Sequence, residues 1–185
     1  MNAMREGAIV HLRRYQPGDE HALFEALNAS RADVSRWMPD FAAPLSLDHL
    51  RAWVRDLASI EAKSSEENRA IVRPEDGAFL GSVGLSRISP THRAAGMFYW
   101  VHSAHAGKGV ATAAIRAMAR LAFEELGLAR VEMLVAVENA ASLRAAEKAG
   151  AVREGVLRSR FLLADGRHDA VVLSIVPEDL RRVTP

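Results

Sequence analysis

Apolar positions recur along the chain in two rhythms, and the changes of rhythm mark out its elements. The opening stretch VHLRRY alternates over Val10–Tyr15 as a strand does, and Gln16-Pro17-Gly18 stops it. Asp19 stands where an N-cap belongs, ahead of a helix carrying Leu23, Phe24 and Leu27. After Ser46, Leu47, Leu50, Trp53, Val54 and Leu57 fall at helical spacing, so a second helix starts there. The polar run EAKSSEEN reads as an exposed loop. Three short apolar runs follow, Ala70–Val72, Ala78–Leu85 and Met97–Val101. Turn-forming residues part them, which predicts an antiparallel meander.

From Val110 the helical period takes over. Ala111, Ala114, Ile115, Met118, Leu121 and Ala122 form one apolar stripe, Arg116 and Arg120 lie off it, and Gly127 supplies the stop. Valine-rich alternation over Arg130–Val137 predicts a strand, and Asn139 opens a short helix ending at Gly150. Val156–Leu163 and His168–Val176 then read as a hairpin. Its Asp165-Gly166 dipeptide suits a type I′ turn, with φ > 0 at both positions. No repeat, low-complexity tract or linker interrupts the pattern. Residues 1–185 form one mixed α/β domain.

Composition narrows the function classes. With 185 residues, 49% hydrophobic and 25% charged, the chain can bury a core without covalent staples. It has no cysteine, which removes disulfides, thiolate nucleophiles and Cys-based zinc sites. Lys and Arg total 24 against 23 acids, a net charge of +1 that lacks the basic excess of a nucleic-acid binder. The densest apolar patch, Met97–Val101, has strand length rather than membrane-spanning length. The first residues lack the apolar stretch of a secretion signal, so a cytoplasmic location is expected.

Chemistry concentrates in YWVHSAHAGKGVATAAIRAMARLAF, where a strand runs through a glycine loop into an amphipathic helix. The first turn of a helix offers N–H groups without internal partners and the positive end of its dipole. Gly107, Gly109 and the small Ala111 leave room for a phosphate to approach that backbone. A flexible turn ahead of a helix is the plainer reading. Spacing excludes both the dinucleotide fingerprint and the Walker loop. Asn139 is read as an N-cap and Ser142 as a first-turn polar residue.

Four features in register resemble the GNAT N-acetyltransferase superfamily, in its Rim-type branch of ribosomal-protein N-terminal acetyltransferases. They are Tyr99-Trp100-Val101 with the following His-Ala-Gly-Lys-Gly-Val-Ala-Thr; Asn139 with Ser142; Glu147-Lys148-Ala-Gly150; and Arg160-Phe161 with Asp165-Gly166-Arg167-His168-Asp169. With Phe79-Leu80-Gly81-Ser-Val-Gly84, the match covers about residues 8–178. The resemblance implies a GNAT α/β (α+β) fold: a twisted, mostly antiparallel mixed sheet, helices on both faces, and central strands, ending at His102 and Val137, that splay apart. Acetyl-CoA is expected in the gap as acyl donor, with no metal. Its contacts are assigned to Val101, Ala106, Gly107, Lys108, Gly109, Val110, Ala111, Asn139 and Ser142. Ala106 departs from the family, which usually carries Arg or Gln there.

The resemblance further gives Ser142 the role of stabilising the leaving thiolate. It places Trp37, Trp53 and Tyr99 at the acceptor cleft, with Asp40 and Phe41 as further wall residues, while aromatics such as Trp37 and Trp53 are more often core residues than substrate contacts; Arg160 and Phe161 are read as packing or site residues. Relatives carry Glu where this chain has Gly96, so the base candidates are Glu132, His102, His105 or a water chain. The expected partners are acetyl-CoA and an amine acceptor, with a second copy of the chain also considered, and neither nucleic acid nor membrane. The leading acceptor is a protein N-terminal α-amine. Alternatives are a small amine or antibiotic, succinyl-CoA as donor, or a non-catalytic acyl-CoA-binding module.

Overall fold

The computed structural model describes residues 8–183. Its strands are β1 (His11–Arg13), β2 (Glu67–Val72), β3 (Phe79–Ser89), β4 (Ala94–Val101), β5 (Arg130–Ala136), β6 (Val152–Leu163) and β7 (Gly166–Ile175). They form one sheet in the order β1-β2-β3-β4-β5-β7-β6. Neighbours are antiparallel except β4 and β5, which run parallel. The helices are α1 (Asp19–Ser35), α2 (Leu47–Ser64), α3 (Val110–Glu124), α4 (Ala140–Ala149) and α5 (Pro177–Val183).

Strand alternation separates two apolar layers. Met97, Val131, Met133 and Val135 join Ile115, Met118 and Leu143 in the main core, beneath α3 and α4. Trp100, one step out of phase with Met97, points to the other face and packs with Leu23, Leu27, Val34 and Leu50 of α1 and α2. Ala114, Ala119 and Ala122 of α3 are fully buried, so small side chains let this helix lie close on the sheet. Two glycines permit equally close strand contact. A Cβ on Gly81 would sit 2.2 Å from the Trp100 carbonyl oxygen, and one on Gly84 would meet the Phe98 ring at 2.4 Å.

Several expectations need correction. Gly18, at φ 102°, is the N-cap of α1, and Asp19 is its first residue. The Asp19 carboxylate instead accepts from the Gln16 amide at 2.9 Å and from Arg13 at 2.6 and 2.7 Å. The EAKSSEEN run is not a loop: α2 continues through Ser64 and β2 begins at Glu67. Glu61 accepts from the Asn68 amide at 2.6 Å, which ties the two elements together. At the β6–β7 turn only Gly166 has positive φ, so the type I′ expectation fails. β6 also starts earlier, at Val152, and α5 had no counterpart in the apolar pattern.

Candidate active site

β4 and β5 pair over three rungs only, Ala94↔Arg130, Ala95↔Val131 and Gly96↔Glu132. Beyond them β4 stays in register with β3 as far as Gly81↔Val101, and β5 with β7 as far as Ala136↔Ala170. Each strand follows its outer neighbour, and the sheet opens between them. Met97–Val101 and Met133–Ala136 line the resulting cavity of about 720 Å³. That is the size of a small-molecule site.

The wide end of the cavity meets the start of α3. A short 3₁₀ turn, Ser103–His105, leads out of β4, its first N–H groups held by local acceptors. His102 Nδ1 accepts from the Ala104 amide at 3.1 Å, and Ser30 Oγ of α1 accepts from the Ser103 amide at 2.9 Å. Gly107 and Gly109 then take the left-handed conformation, at φ 72° and 84°, and turn the backbone into the helix. Ala113 is the residue whose amide reaches the Gly109 carbonyl, at 3.0 Å. The preceding first-turn amides have no carbonyl a helical turn behind them. Val101, Ala106, Gly107, Gly109, Val110 and Ala111 all line the cavity, so the backbone suits a pyrophosphate. Lys108 is exposed outside this lining, and its Nζ donates to the Ala104 carbonyl at 2.9 Å.

The start of α4 forms the opposite wall. Asn139 Oδ1 caps the helix by accepting from the Ser142 amide at 3.1 Å. Ser142 Oγ lies 2.6 Å from the Tyr99 hydroxyl, a hydrogen bond across the gap. Burial raises the Tyr99 phenol above its usual range, and the Ser142 bond partly offsets that rise. Thr112 Oγ1 donates to the Ala145 carbonyl at 3.2 Å, which fastens α4 to α3. Arg144 and Lys148 of α4 add cations to the lining.

The candidates on the acceptor side divide. Trp37 lines the cavity, joined by Asp33, Met38, Phe98, Leu134 and Phe161. Trp53 is not in that lining; it meets the Tyr15 ring edge-on at 5.0 Å within the second apolar layer. Phe41 packs in that layer too, and Asp40 and Arg160 are exposed. Glu132 also lies outside the cavity lining, at the closed end of the gap, 3.2 Å from Arg130, which pairs with Glu154 as well. Gly96 is equally closed in: a Cβ there would stand 2.7 Å from Arg87 Nη2. His105 lines the cavity, and its pKa is lowered, first by desolvation and then by His102, Lys108 and Arg73.

The sequence reading missed Asp33, Met38, Phe98 and Arg144. Apolar spacing assigns such residues to helix or strand faces, and only the tertiary arrangement turns those faces toward one gap. Among the described residues no group of three or more His, Cys, Asp or Glu is placed to hold a metal ion. Among them, too, no helix is long and apolar enough to cross a membrane.

Residues 10–152 match the family described as Acetyltransferase (GNAT) domain. The chain belongs to the GNAT acetyltransferase family. This acetyltransferase is 30% identical over 178 residues to a Bacillus subtilis (strain 168) protein named "Putative ribosomal N-acetyltransferase YdaF", covering 92% of each chain. It is also 30% identical over 161 residues to spermidine N(1)-acetyltransferase of Vibrio cholerae, covering 86% of this chain and 88% of that one. A Vibrio cholerae spermidine N-acetyltransferase structure in complex with CoA and spermine superposes with TM-score 0.77 at 25% identity. It covers 93% of this chain and 98% of the other. The protein is thus an acetyl-CoA-dependent N-acetyltransferase with the GNAT fold.

Proposed function

We propose that this acetyltransferase acts on a polypeptide N-terminal α-amine, by direct attack on the bound thioester. One observation carries the choice of acceptor: among the described residues, Asp33 is the single carboxylate lining the cavity, against Arg144 and Lys148. A polyamine brings several positive charges, and burying them needs several partners. A peptide brings one amine, and its neighbouring groups meet the apolar wall of Trp37, Met38, Phe98 and Phe161.

Acetyl-CoA supplies a thioester carbonyl and a thiolate leaving group. The backbone from Ala106 to Ala111 holds its phosphates, and Asn139 fixes the start of α4 beside its pantetheine arm. In the transfer the neutral amine forms an N–C bond, the C–S bond breaks with its electron pair on sulfur, the nitrogen made positive by the attack releases one proton to water, and the thiolate takes one up from water to leave as CoA thiol. Ser142 donates a hydrogen bond to the departing thiolate; a serine hydroxyl is too weak an acid to give up its proton fully.

No carboxylate serves as base in this reading, since Glu132 is committed to Arg130 outside the cavity lining and Asp33, within it, accepts from Ser103 Oγ. The substrate must then arrive neutral. An α-amine with a pKa of about 7.7–8.0 is roughly a tenth neutral at pH 7, whereas a lysine at about 10.4 is neutral a few times in ten thousand. The difference is about 3 kcal/mol in favour of the α-amine. The test is thiol release from acetyl-CoA, and from succinyl-CoA, with a panel of N-terminal peptides, polyamines and aminoglycosides. Faster turnover of peptides is expected. A preference for spermidine would overturn the reading, and CoA binding without release by any amine would point to a non-catalytic module.

A further inference from the structure

Tyr99 and Ser142 lie 43 residues apart in sequence and on opposite sides of the gap, yet their hydroxyl oxygens stand 2.6 Å apart. The Tyr99 oxygen is also 3.3 Å from the Ser142 backbone carbonyl. A serine hydroxyl has one proton to donate and two lone pairs to accept with. Two arrangements of the two protons satisfy this pair. In one, Ser142 donates to Tyr99 and Tyr99 donates to the Ser142 carbonyl, so the serine proton is spent locally. In the other, Tyr99 donates to Ser142 Oγ, and the serine proton is free to face the cavity.

We propose that Tyr99 is a positioning residue for the transfer: its hydroxyl donates to Ser142 Oγ and thereby turns the Ser142 proton toward the leaving sulfur. This rests on the reading of Ser142 as the thiolate's hydrogen-bond donor. The arrival of negative charge on sulfur selects the second arrangement, because that arrangement alone offers the charge a proton. A hydroxyl that accepts one hydrogen bond donates the next more strongly, so the phenol also strengthens the contact it aims. No proton leaves Tyr99, since burial holds the phenol protonated well above neutral pH. The bond also spans β4 and α4, the two elements that must keep a fixed separation while the thioester is broken.

The experiment is a double-mutant cycle with Tyr99→Phe and Ser142→Ala, which keep the ring and the helix cap respectively. Tyr99→Phe should lower kcat about 3- to 12-fold, within the range of one net hydrogen bond between neutral groups. Its KM for acetyl-CoA and its CoA-induced thermal shift should stay at wild-type values; a purely structural role, loosening β4 against α4, would move both. In the Ser142→Ala background, Tyr99→Phe should cost nothing further in kcat. Wild-type kcat in Tyr99→Phe, or an equal loss in both backgrounds, overturns the positioning role while leaving Ser142's intact. Wild-type kcat in Ser142→Ala overturns the reading beneath it.

Discussion

The two sides of the gap are built from different materials. The proposed donor side is largely backbone: the Gly107 and Gly109 turn, the first amides of α3 and the Asn139 cap. All of it comes from two continuous stretches of chain. The proposed acceptor side is an assembly of side chains from α1 and its C-terminal end, β4, β5 and β6, represented by Asp33, Trp37, Phe98, Leu134 and Phe161. A backbone site persists while loop and cap geometry persist, whatever the neighbouring side chains. A side-chain site is retuned by single substitutions. The same fold can therefore keep one donor and change acceptors.

The sharpest way to break that comparison is Gly109→Glu. Saturating acetyl-CoA should raise the wild-type melting temperature, since ligand at about a hundred times Kd stabilises the folded state by about 2.7 kcal/mol. The variant places a carboxylate at the pyrophosphate site and should lose the shift altogether. Gly109→Asn, which tolerates left-handed φ, separates loop strain from charge. A shift retained in both variants would move the donor site elsewhere.

Next in size is Ser142→Ala, where kcat should fall about 10- to 100-fold with little change in the KM for acetyl-CoA, because the lost hydrogen bond matters in the transition state. On the acceptor side, Trp37→Ala should raise the acceptor KM about tenfold, roughly 1.4 kcal/mol of apolar contact, and leave the thermal shift with acetyl-CoA unchanged. Trp53→Phe should leave both alone, its ring being packed on Tyr15. If Trp53 changed the acceptor KM and Trp37 did not, the wall would be drawn wrongly.

The smallest effect concerns the hairpin that carries Phe161. His168 on β7 sits between Glu138, at 3.1 Å, and Asp165 at the hairpin tip, at 2.8 Å. These bonds, Glu138 first, raise its pKa above the usual 6.5. The folded state thus binds the proton more tightly, and the resulting stability is fully present below about 6.5 and lost as pH rises through the folded value. His168→Gln should lower the melting temperature at pH 6 more than at pH 9. An equal loss at both would show that the charge contributes nothing.

Local chemistry made the donor side readable in the sequence. A glycine turn before an apolar stripe, and an asparagine before a second helix, are short-range signals that needed no knowledge of the fold. The resemblance then supplied what Gly107, Gly109 and Asn139 are proposed to hold. Trp37 and Trp53 show where such reading stops. Both are aromatics near helices of the N-terminal half, and only packing sends one to the cavity and the other to the Tyr15 cluster. Glu132 shows the same limit, since its register opposite Gly96 and its Arg130 partner are long-range facts. The length of α2 was misjudged because polar residues continue an exposed helix as readily as they form a loop.

The central claim is that the acetyl group passes to an α-amine that reaches the site already neutral, with no carboxylate taking its proton. The pH profile of kcat/KM, measured with peptides whose N-termini differ in pKa, tests this most directly. The rising limb should track the free amine, near about 7.7–8.0 for an ordinary N-terminus, move down in pH for a less basic one, and stay in place in Glu132→Gln. A limb fixed near pH 6 for every acceptor, and erased by Glu132→Gln, Asp33→Asn, His102→Ala or His105→Ala, would contradict the account and return lysine side chains to the candidate acceptors.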